Sequence, residues 1–416
     1  HLGCYQGSME RSSKFGFKWA GKNIMSNRKR SLGKALFITL VLAVVLLGQM
    51  FLEGTNVQMK EALRNNRGDL VARARGVDGN LMPVYEYLNR KHAGLLEANL
   101  RFYEEYVELL GRGGYAEGLV SGAEPAFLPY FNQTVSWQER PEEGLREGTA
   151  LVEAFLAARL NVKKGDHLTI RARTREGMLN TLSVIVDGIF LGSHLIYKDT
   201  VYINIKDQEL LFMTGDHANR VKTYFKPQVT DDELIAVIQE LSREFFRTAL
   251  FTAFRLDPSQ DFIFQEFQYY RLLVVLLFSI VNIVFFFILY FAVQNSFFLS
   301  YRARRQEIST LLTYGMKPVG IKKIAFCEAV LLFLAGLVLA AGVSGAVVMI
   351  IQHFTITNPN IAELITVIGG PRLRFAPVLA KLFPAVGFFF AVTLYAAYKG
   401  VNTYLKMEIR EIISRV

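Results

Sequence analysis

Long apolar runs with at most one charged residue alternate along this chain with segments rich in charged residues. The four runs are Ala35–Leu52, Leu272–Leu299, Ile324–Ile351 and Val378–Tyr398. A helix of roughly 20 apolar residues is long enough to cross a bilayer. The pattern therefore predicts four transmembrane helices, of which the fourth has the shortest uncharged core because Lys381 and Pro384 interrupt its start.

Residues 54–270, between the first two runs, mix two periodicities. Period-two alternation predicts strands at 68–75, 168–173, 182–190, 200–205 and 221–225. The spacing of apolar residues predicts helices over 84–110 and 149–160, and the capping box Thr230-Asp-Asp-Glu233 predicts a third that ends near Phe245. A further helix is predicted to run unbroken from 258 to 299, with two helices separated by a break near Tyr270 as the alternative. The fold class expected is a membrane protein with four transmembrane α-helices and a large extracytoplasmic α/β domain inserted between helices 1 and 2.

A short basic segment joins the second and third apolar runs. As a helix it would place four side chains on one face: Arg304, Ile308, Leu311 and Leu312. Gly315 can cap this helix and Pro318 can begin the next one. A short amphipathic helix between two spans is a candidate receiver of force from a soluble motor.

Charge is distributed unevenly around the predicted spans. Residues 1–34 carry eight Lys or Arg against one Glu, and the 301–323 loop carries six against one Glu. Residues 54–270 hold 25 basic and 30 acidic residues. The positive-inside rule then places both termini and the loop in the cytosol. Positive charge beside membrane spans also argues against nucleic-acid binding as the reason for the net charge of +10.

These patterns predict nine segments. They are a cytosolic basic segment 1–34, transmembrane helix 35–53, extracytoplasmic domain 54–270, transmembrane helix 271–299, cytosolic coupling loop 300–323, transmembrane helix 324–351, extracytoplasmic loop 352–377, transmembrane helix 378–398 and cytosolic tail 399–416. Residues 1–8 precede Met9 and resemble the scar of a cleaved tag, so they are not expected to belong to the fold.

The chain offers little material for catalysis or metal binding. Only two cysteines occur, Cys4 and Cys327, and the six histidines are dispersed without metal-ligand spacing. No Gly-x-Ser-x-Gly elbow and no Gly-x4-Gly-Lys-Ser/Thr nucleotide motif is present in the sequence. We therefore expect no catalytic, cofactor or metal site on this chain.

The segment 304–334 resembles the FtsX-like permease domain. The family pattern is Arg-x-x-Glu-Ile, then Leu-x-x-x-Gly, then a basic patch leading into Glu-Ala, and it is matched here by Arg304, Glu307, Ile308, Leu311 and Gly315. Leu160-Asn-Val-Lys-Lys-Gly-Asp166 and the segment 202–211 resemble the exported core of lipoprotein-releasing and MacB-type permeases. The resemblance is closest to the transmembrane subunits of lipoprotein-releasing systems.

The resemblance implies a permease subunit of an ABC transporter in a bacterial inner membrane. It implies a cytosolic ATPase dimer that binds ATP and Mg on partner chains, a second permease subunit (identical or different), a lipoprotein substrate, a periplasmic acceptor and membrane lipids. The ATPase-coupling residues it implies are Arg304, Arg305, Glu307, Ile308, Leu311, Leu312 and Gly315. The alternative for this helix is a surface helix that lies on lipid headgroups.

The sequence allows two interpretations for each of two sets of residues inside the third span. Glu328 is expected to pair with Lys322, Lys323 or a partner chain, with proton coupling as the alternative. The pairs Gly336/Ala340 and Ala341/Gly345 predict close helix packing, either within the chain or at a dimer seam. Alternative functions are MacB-like efflux of peptides or drugs, FtsX-like regulation of an extracytoplasmic cell-wall hydrolase, and a receptor with an exported sensor domain.

Overall fold

The computed structural model describes residues 17–26, 28–75, 79–142, 144–257, 262–314, 316–353 and 373–413. The predictions for residues 1–16 and for Gly315, and most of those for the 352–377 loop, lie outside these ranges. The chain divides into two compact units. One contains residues up to 53, 273–353 and the chain from 375, and the other contains residues 54–272.

Helices and strands alternate in the second unit, whereas the first unit is helical. The helices are α1 (17–26), α2 (Arg28–Arg67), α3 (Met82–Lys91), α4 (Leu128–Phe131), α5 (Ala154–Leu160), α6 (His194–Tyr197), α7 (Ile205–Phe212), α8 (Asp231–Phe245), α9 (Phe262–Arg302), α10 (Arg305–Thr313), α11 (Pro318–Ile351) and α12 (Leu379–Ile413). The strands are β1 (Leu70–Ala74), β2 (Leu96–Gly111), β3 (Gly114–Ala123), β4 (Ser136–Glu139), β5 (Thr149–Glu153), β6 (His167–Arg173), β7 (Leu179–Leu191), β8 (Thr200–Asn204), β9 (Arg220–Phe225) and β10 (Ala249–Ala253).

Four helices, α2, α9, α11 and α12, are long and apolar enough to cross a membrane. The four apolar helices expected from the sequence are therefore present, and the chain is a membrane protein. Helix α9 has 41 residues, which at 1.5 Å per residue is about 60 Å, or twice the thickness of the hydrocarbon core. The unbroken helix predicted for this region is confirmed from Phe262 onward.

Side chains from all four long helices form one apolar core. Representative members are Leu42 of α2, Leu289 of α9, Leu332 of α11 and Ala396 of α12, all nearly inaccessible to solvent. Helices α12 and α9 approach each other closely at Gly400, where an added Cβ would collide with the backbone carbonyl oxygen of Gln294. Only glycine therefore fits this crossing.

We expect Gly400→Leu to destabilise the membrane helices by about 1–3 kcal/mol, since overpacking forces backbones apart. Thermal unfolding of the detergent-solubilised chain measures this. Gly387→Leu in the same helix is the matched control, because no atom lies within 4 Å of the corresponding Cβ position. Equal melting temperatures for the two variants would contradict the close crossing.

The α/β unit is built on a ten-stranded mixed sheet of order β10-β1-β9-β2-β3-β8-β5-β7-β4. Strand β6 pairs with both β2 and β7, which closes β2-β3-β8-β5-β7-β6 into a ring. The pairs β3–β8 and β5–β7 are parallel, and the other pairs are antiparallel. Apolar side chains of the ring strands and of α5 and α7 form a single core, which gives this unit its own hydrophobic centre.

The helix predicted over 84–110 is wrong for most of its length. The chain instead forms the ten-residue helix α3 and then the 16-residue strand β2. Strand β2 is rich in Leu and Glu, which favour helices, but it pairs with β3 over ten residue pairs and also with β6 and β9. Tertiary pairing thus overrides local propensity. The hairpin between β2 and β3 turns at Gly114, whose φ of 151° favours glycine.

The helix predicted over 149–160 is wrong in its first half. Residues 149–153 form β5, which is fully buried between β7 and β8, and α5 begins only at Ala154. The Glu153 carboxylate ends the strand and caps the helix by accepting from the backbone N–H groups of Phe155 and Leu156. The predicted strands β1, β6, β7, β8 and β9 are confirmed, as is the Thr230 capping box of α8. The bounds of strands β3, β4 and β10 were not predicted.

Candidate functional site: helix α10 and two buried charge clusters

Helix α10 occupies the short segment between the two long helices α9 and α11. It begins after Arg304, and Glu307 in its first turn interacts favourably with the helix dipole. Pro318 begins α11 as the sequence predicts. Gly315, the predicted cap, lies outside the described residues.

The inner face of α10 is fixed to the membrane helices. Ile308 is 3% exposed and belongs to their apolar core, and Leu312 packs against the same core. The Arg304 guanidinium donates from Nη2 to Asn23 Oδ1 of α1 over 2.7 Å and from Nε to Glu307 Oε2 over 2.9 Å. These contacts mean that a displacement of α10 would also displace the helices that hold it.

The outer face of α10 is exposed and polar. The side chains of Arg305 and Glu307 are exposed, Leu311 is half-buried, and Tyr314 just beyond the helix is 87% exposed. The predicted face of four residues is thus divided, because Arg304, Ile308 and Leu312 point inward while Leu311 lies at the border. These exposed side chains form the surface of α10 that a soluble partner could contact.

Glu328 of α11 forms an ion pair inside the helical unit. Its Oε1 accepts from the Lys34 ammonium of α2 over 3.3 Å, and the two side chains are 3% and 4% exposed. The expected pairing with Lys322 or Lys323 is therefore wrong. The Lys34 ammonium also lies 4.2 Å from the centre of the Phe297 ring of α9. Sequence spacing could not identify Lys34, which is 294 residues away.

The two pairs of small residues in α11 have different surroundings. A Cβ at Gly336 would lie 2.8 Å from Ile38 of α2, and Ala340 is fully buried on the same side. Ala341 is exposed, and no atom lies within 4 Å of the Cβ position of Gly345. The first pair therefore packs against α2 within the chain, while the second pair faces outward.

A second charge cluster is buried in the α/β unit, and sequence analysis did not find it. The Glu104 carboxylate of β2 lies 3.1 Å from Lys222 Nζ and 2.6 Å from Arg220 Nη1, both on β9. Lys222 is 1% exposed, and its ammonium lies 3.8 Å from the centre of the Phe102 ring. The sequence feature that could have indicated this cluster is a lysine, Lys222, inside the strand β9.

Electrostatics keep Glu104 ionised despite its burial. Desolvation alone would raise the pKa of this carboxyl, but the cationic Lys222 and Arg220 lower the pKa to about 2. The cluster contains more positive than negative charge, since the strands β1 and β9 place Arg73 directly opposite Arg220. Glu104 therefore offsets repulsion within the sheet.

Among the described residues, no group of three His, Cys, Asp or Glu side chains is arranged to hold a metal ion. The site residues predicted from sequence also do not converge on one point. The chemistry that the described geometry supports is mechanical and electrostatic: an exposed helix fixed to membrane helices, and buried ion pairs that hold each unit together.

No protein-family model matches the chain, and no curated protein matches its sequence. Solved structures show a partial likeness to this chain, and three of them are permease or transporter domains. The periplasmic region of MacB from Actinobacillus actinomycetemcomitans is 9% identical with a TM-score of 0.35, over 46% of this chain and 92% of that one. A domain of a putative permease from Porphyromonas gingivalis is 16% identical with a TM-score of 0.30, over 44% and 85%. The extracellular domain of the noncanonic ABC-type transporter YknZ from Gram-positive bacteria is 8% identical with a TM-score of 0.32, over 44% and 98%.

At these values the likeness assigns neither a family nor an activity to the chain. The described residues define the class directly: a membrane protein with four membrane-capable helices, a short exposed helix between two of them, and a mixed α/β domain.

Proposed function

We propose that this chain is the permease subunit of an ABC transporter of the FtsX-like and MacB-like kind. A separate ATPase dimer would bind ATP and Mg and would contact α10. Two permease subunits would work together in a bacterial inner membrane, with both termini and α10 in the cytosol. The work would be done by the α/β domain on the opposite side of the membrane.

The arrangement of α10 is the observation that carries this proposal. Its inner face is held by Ile308, Leu312 and the Arg304–Asn23 hydrogen bond, and its outer face presents Arg305 and Glu307. A helix that lay on lipid headgroups would expose apolar side chains to the bilayer. Here the apolar side chains are used for packing within the chain, which favours a soluble protein as the partner of the exposed face.

The cargo we propose is a lipid-anchored protein released from the outer leaflet of the membrane. The resemblance of the segment 160–166 to lipoprotein-releasing permeases supports this choice. In the fold that segment is the turn after α5, where Asn161 is left-handed with a φ of 53° and the Asp166 carboxylate accepts from the Lys163 N–H.

Purification from native membranes in mild detergent, followed by mass spectrometry of co-eluting proteins, tests the proposal. An ATPase with nucleotide-binding motifs, a permease and acylated proteins are the expected companions. A soluble hydrolase in place of acylated proteins would indicate regulation of a cell-wall enzyme. Recovery of the chain without any ATPase would refute the transporter assignment.

Charge reversal on the exposed face of α10 should uncouple ATP turnover from transport. We expect Glu307→Lys to leave membrane insertion intact but to reduce transport at least tenfold while ATP hydrolysis continues, because the Glu307 side chain is 62% exposed and its replacement removes no apolar packing, only the hydrogen bond from Arg304 Nε. Reconstituted complexes report both rates. Glu176→Lys, an exposed carboxylate in the turn between β6 and β7, is the matched control. Normal transport by Glu307→Lys would exclude this face from coupling.

A further inference from the structure

A groove of about 740 Å³ lies along α2 and α9 within the helical unit. One end is basic and is lined by Arg30, Lys34 and Arg302. The remainder is largely apolar, with Phe37, Ile38 and Phe297 among its lining residues. The groove thus combines a cationic mouth with a hydrocarbon-like body.

The charge at the mouth is not balanced by the residues that line it. Lys34 already pairs with Glu328 over 3.3 Å. Arg30 and Arg302 are exposed, and no acidic side chain stands among the described residues that line the groove. Two guanidinium groups therefore face the groove entrance, where they can bind a phosphate with paired hydrogen bonds.

We propose that this groove binds an anionic phospholipid. The phosphate lies between Arg30 and Arg302, the Ser296 and Ser300 hydroxyls that line the groove donate to headgroup oxygens, and an acyl chain extends along Phe37 and Phe297. Basic pockets between transmembrane helices bind anionic headgroups for this reason. A zwitterionic lipid offers the same phosphate but adds a cation that offsets it, so the positive charge at the mouth stays uncompensated, and an apolar protein segment offers the two arginines no anion at all.

The inference does not depend on an ATPase partner, so it can be tested on the full chain alone. The chain is reconstituted in nanodiscs of phosphatidylcholine with increasing phosphatidylglycerol, and native mass spectrometry counts the lipids retained. We expect about one phosphatidylglycerol per chain. The double variant Arg30→Gln/Arg302→Gln should bind it roughly 30-fold more weakly, since each basic residue near an anionic headgroup contributes to the affinity.

Two controls separate the groove from general surface charge. Lys29→Gln removes an exposed neighbouring charge in α2 that does not line the groove, and it should leave retention unchanged. Gly33→Phe keeps every charge but fills the groove, because no atom lies within 4 Å of the Gly33 Cβ position, and it should abolish retention. Gly342→Phe, equally open but outside the groove, is its control.

Several outcomes would overturn the proposal. Equal retention of phosphatidylcholine and phosphatidylglycerol would show that headgroup charge does not determine binding. A loss of lipid in Lys29→Gln as large as in Arg30→Gln/Arg302→Gln would show that binding does not depend on the groove. Displacement of the lipid by inorganic phosphate would indicate a free-anion site. A disulfide formed between two chains by the Ser296→Cys variant would assign the groove to a second copy.

Discussion

Lys34→Met is expected to destabilise the helical unit by about 3–5 kcal/mol, the cost of leaving one partner of a buried ion pair alone. The carboxylate of Glu328 is 3% exposed, and its Oε2 has no hydrogen-bond partner among the described residues. Removal of the ammonium would leave this charge in a medium of low dielectric constant. Thermal or denaturant unfolding in detergent measures the loss.

The double variant Lys34→Met/Glu328→Met distinguishes pairing from packing. Since an apolar pair of similar volume can replace a buried ion pair at little cost, the double variant should recover most of the stability. Lys29→Met, at an exposed position of the same helix, should change little. Additive losses in the double variant would show that the two side chains act independently.

Glu104→Gln is expected to destabilise the α/β unit by a similar 3–5 kcal/mol, because Lys222 and Arg220 would lose the carboxylate between them. The fluorescence of Trp137 in β4 reports unfolding of this unit once Trp19 is replaced by Phe. The isosteric change keeps the shape of the site. Glu117→Gln, an exposed carboxylate on β3, is the matched control and should be nearly neutral.

Because of the same carboxylate, the free energy of unfolding of this unit should fall at low pH. The folded-state pKa of Glu104, about 2, lies below the ordinary value of 4.5. Its contribution is therefore complete above pH 4.5 and is lost as the pH falls toward 2. The free energy of unfolding, measured at several pH values between 2 and 4.5, should depend less steeply on pH in Glu104→Gln than in the unsubstituted chain. An unchanged slope would show that Glu104 does not titrate as a paired carboxylate.

The sequence was sufficient where a short stretch of chain determines the outcome. The apolar length of the four long helices, the capping box at Thr230 and the proline at the start of α11 each act locally, and each prediction holds. The sequence was insufficient where partners are distant. Strand β2 has helix-favouring residues, and only pairing with β3 and β9 makes it a strand.

The candidate site shows the same division. The position of α10 between two spans follows from charge and hydropathy, but its inner and outer faces do not, because Arg304 is held by Asn23 and Ile308 by a core drawn from four helices. The ion pairs of Glu328 and Glu104 join residues far apart in the chain. A charged residue inside an apolar run signals that a partner exists without identifying it.

The separation of Lys34 from Glu328 also has a consequence for biosynthesis. The two residues are 294 positions apart, so at 5–20 residues per second a ribosome needs roughly 15 to 60 s to deliver the second after the first. During that interval α2 is already made, and its lysine has no carboxylate to meet. The flexible lysine side chain can place its ammonium among the lipid headgroups during this time. The ammonium can move between the helices once α11 has been made. The pair would then join α2 to α11 before α12, the last helix of the apolar core, has been synthesised.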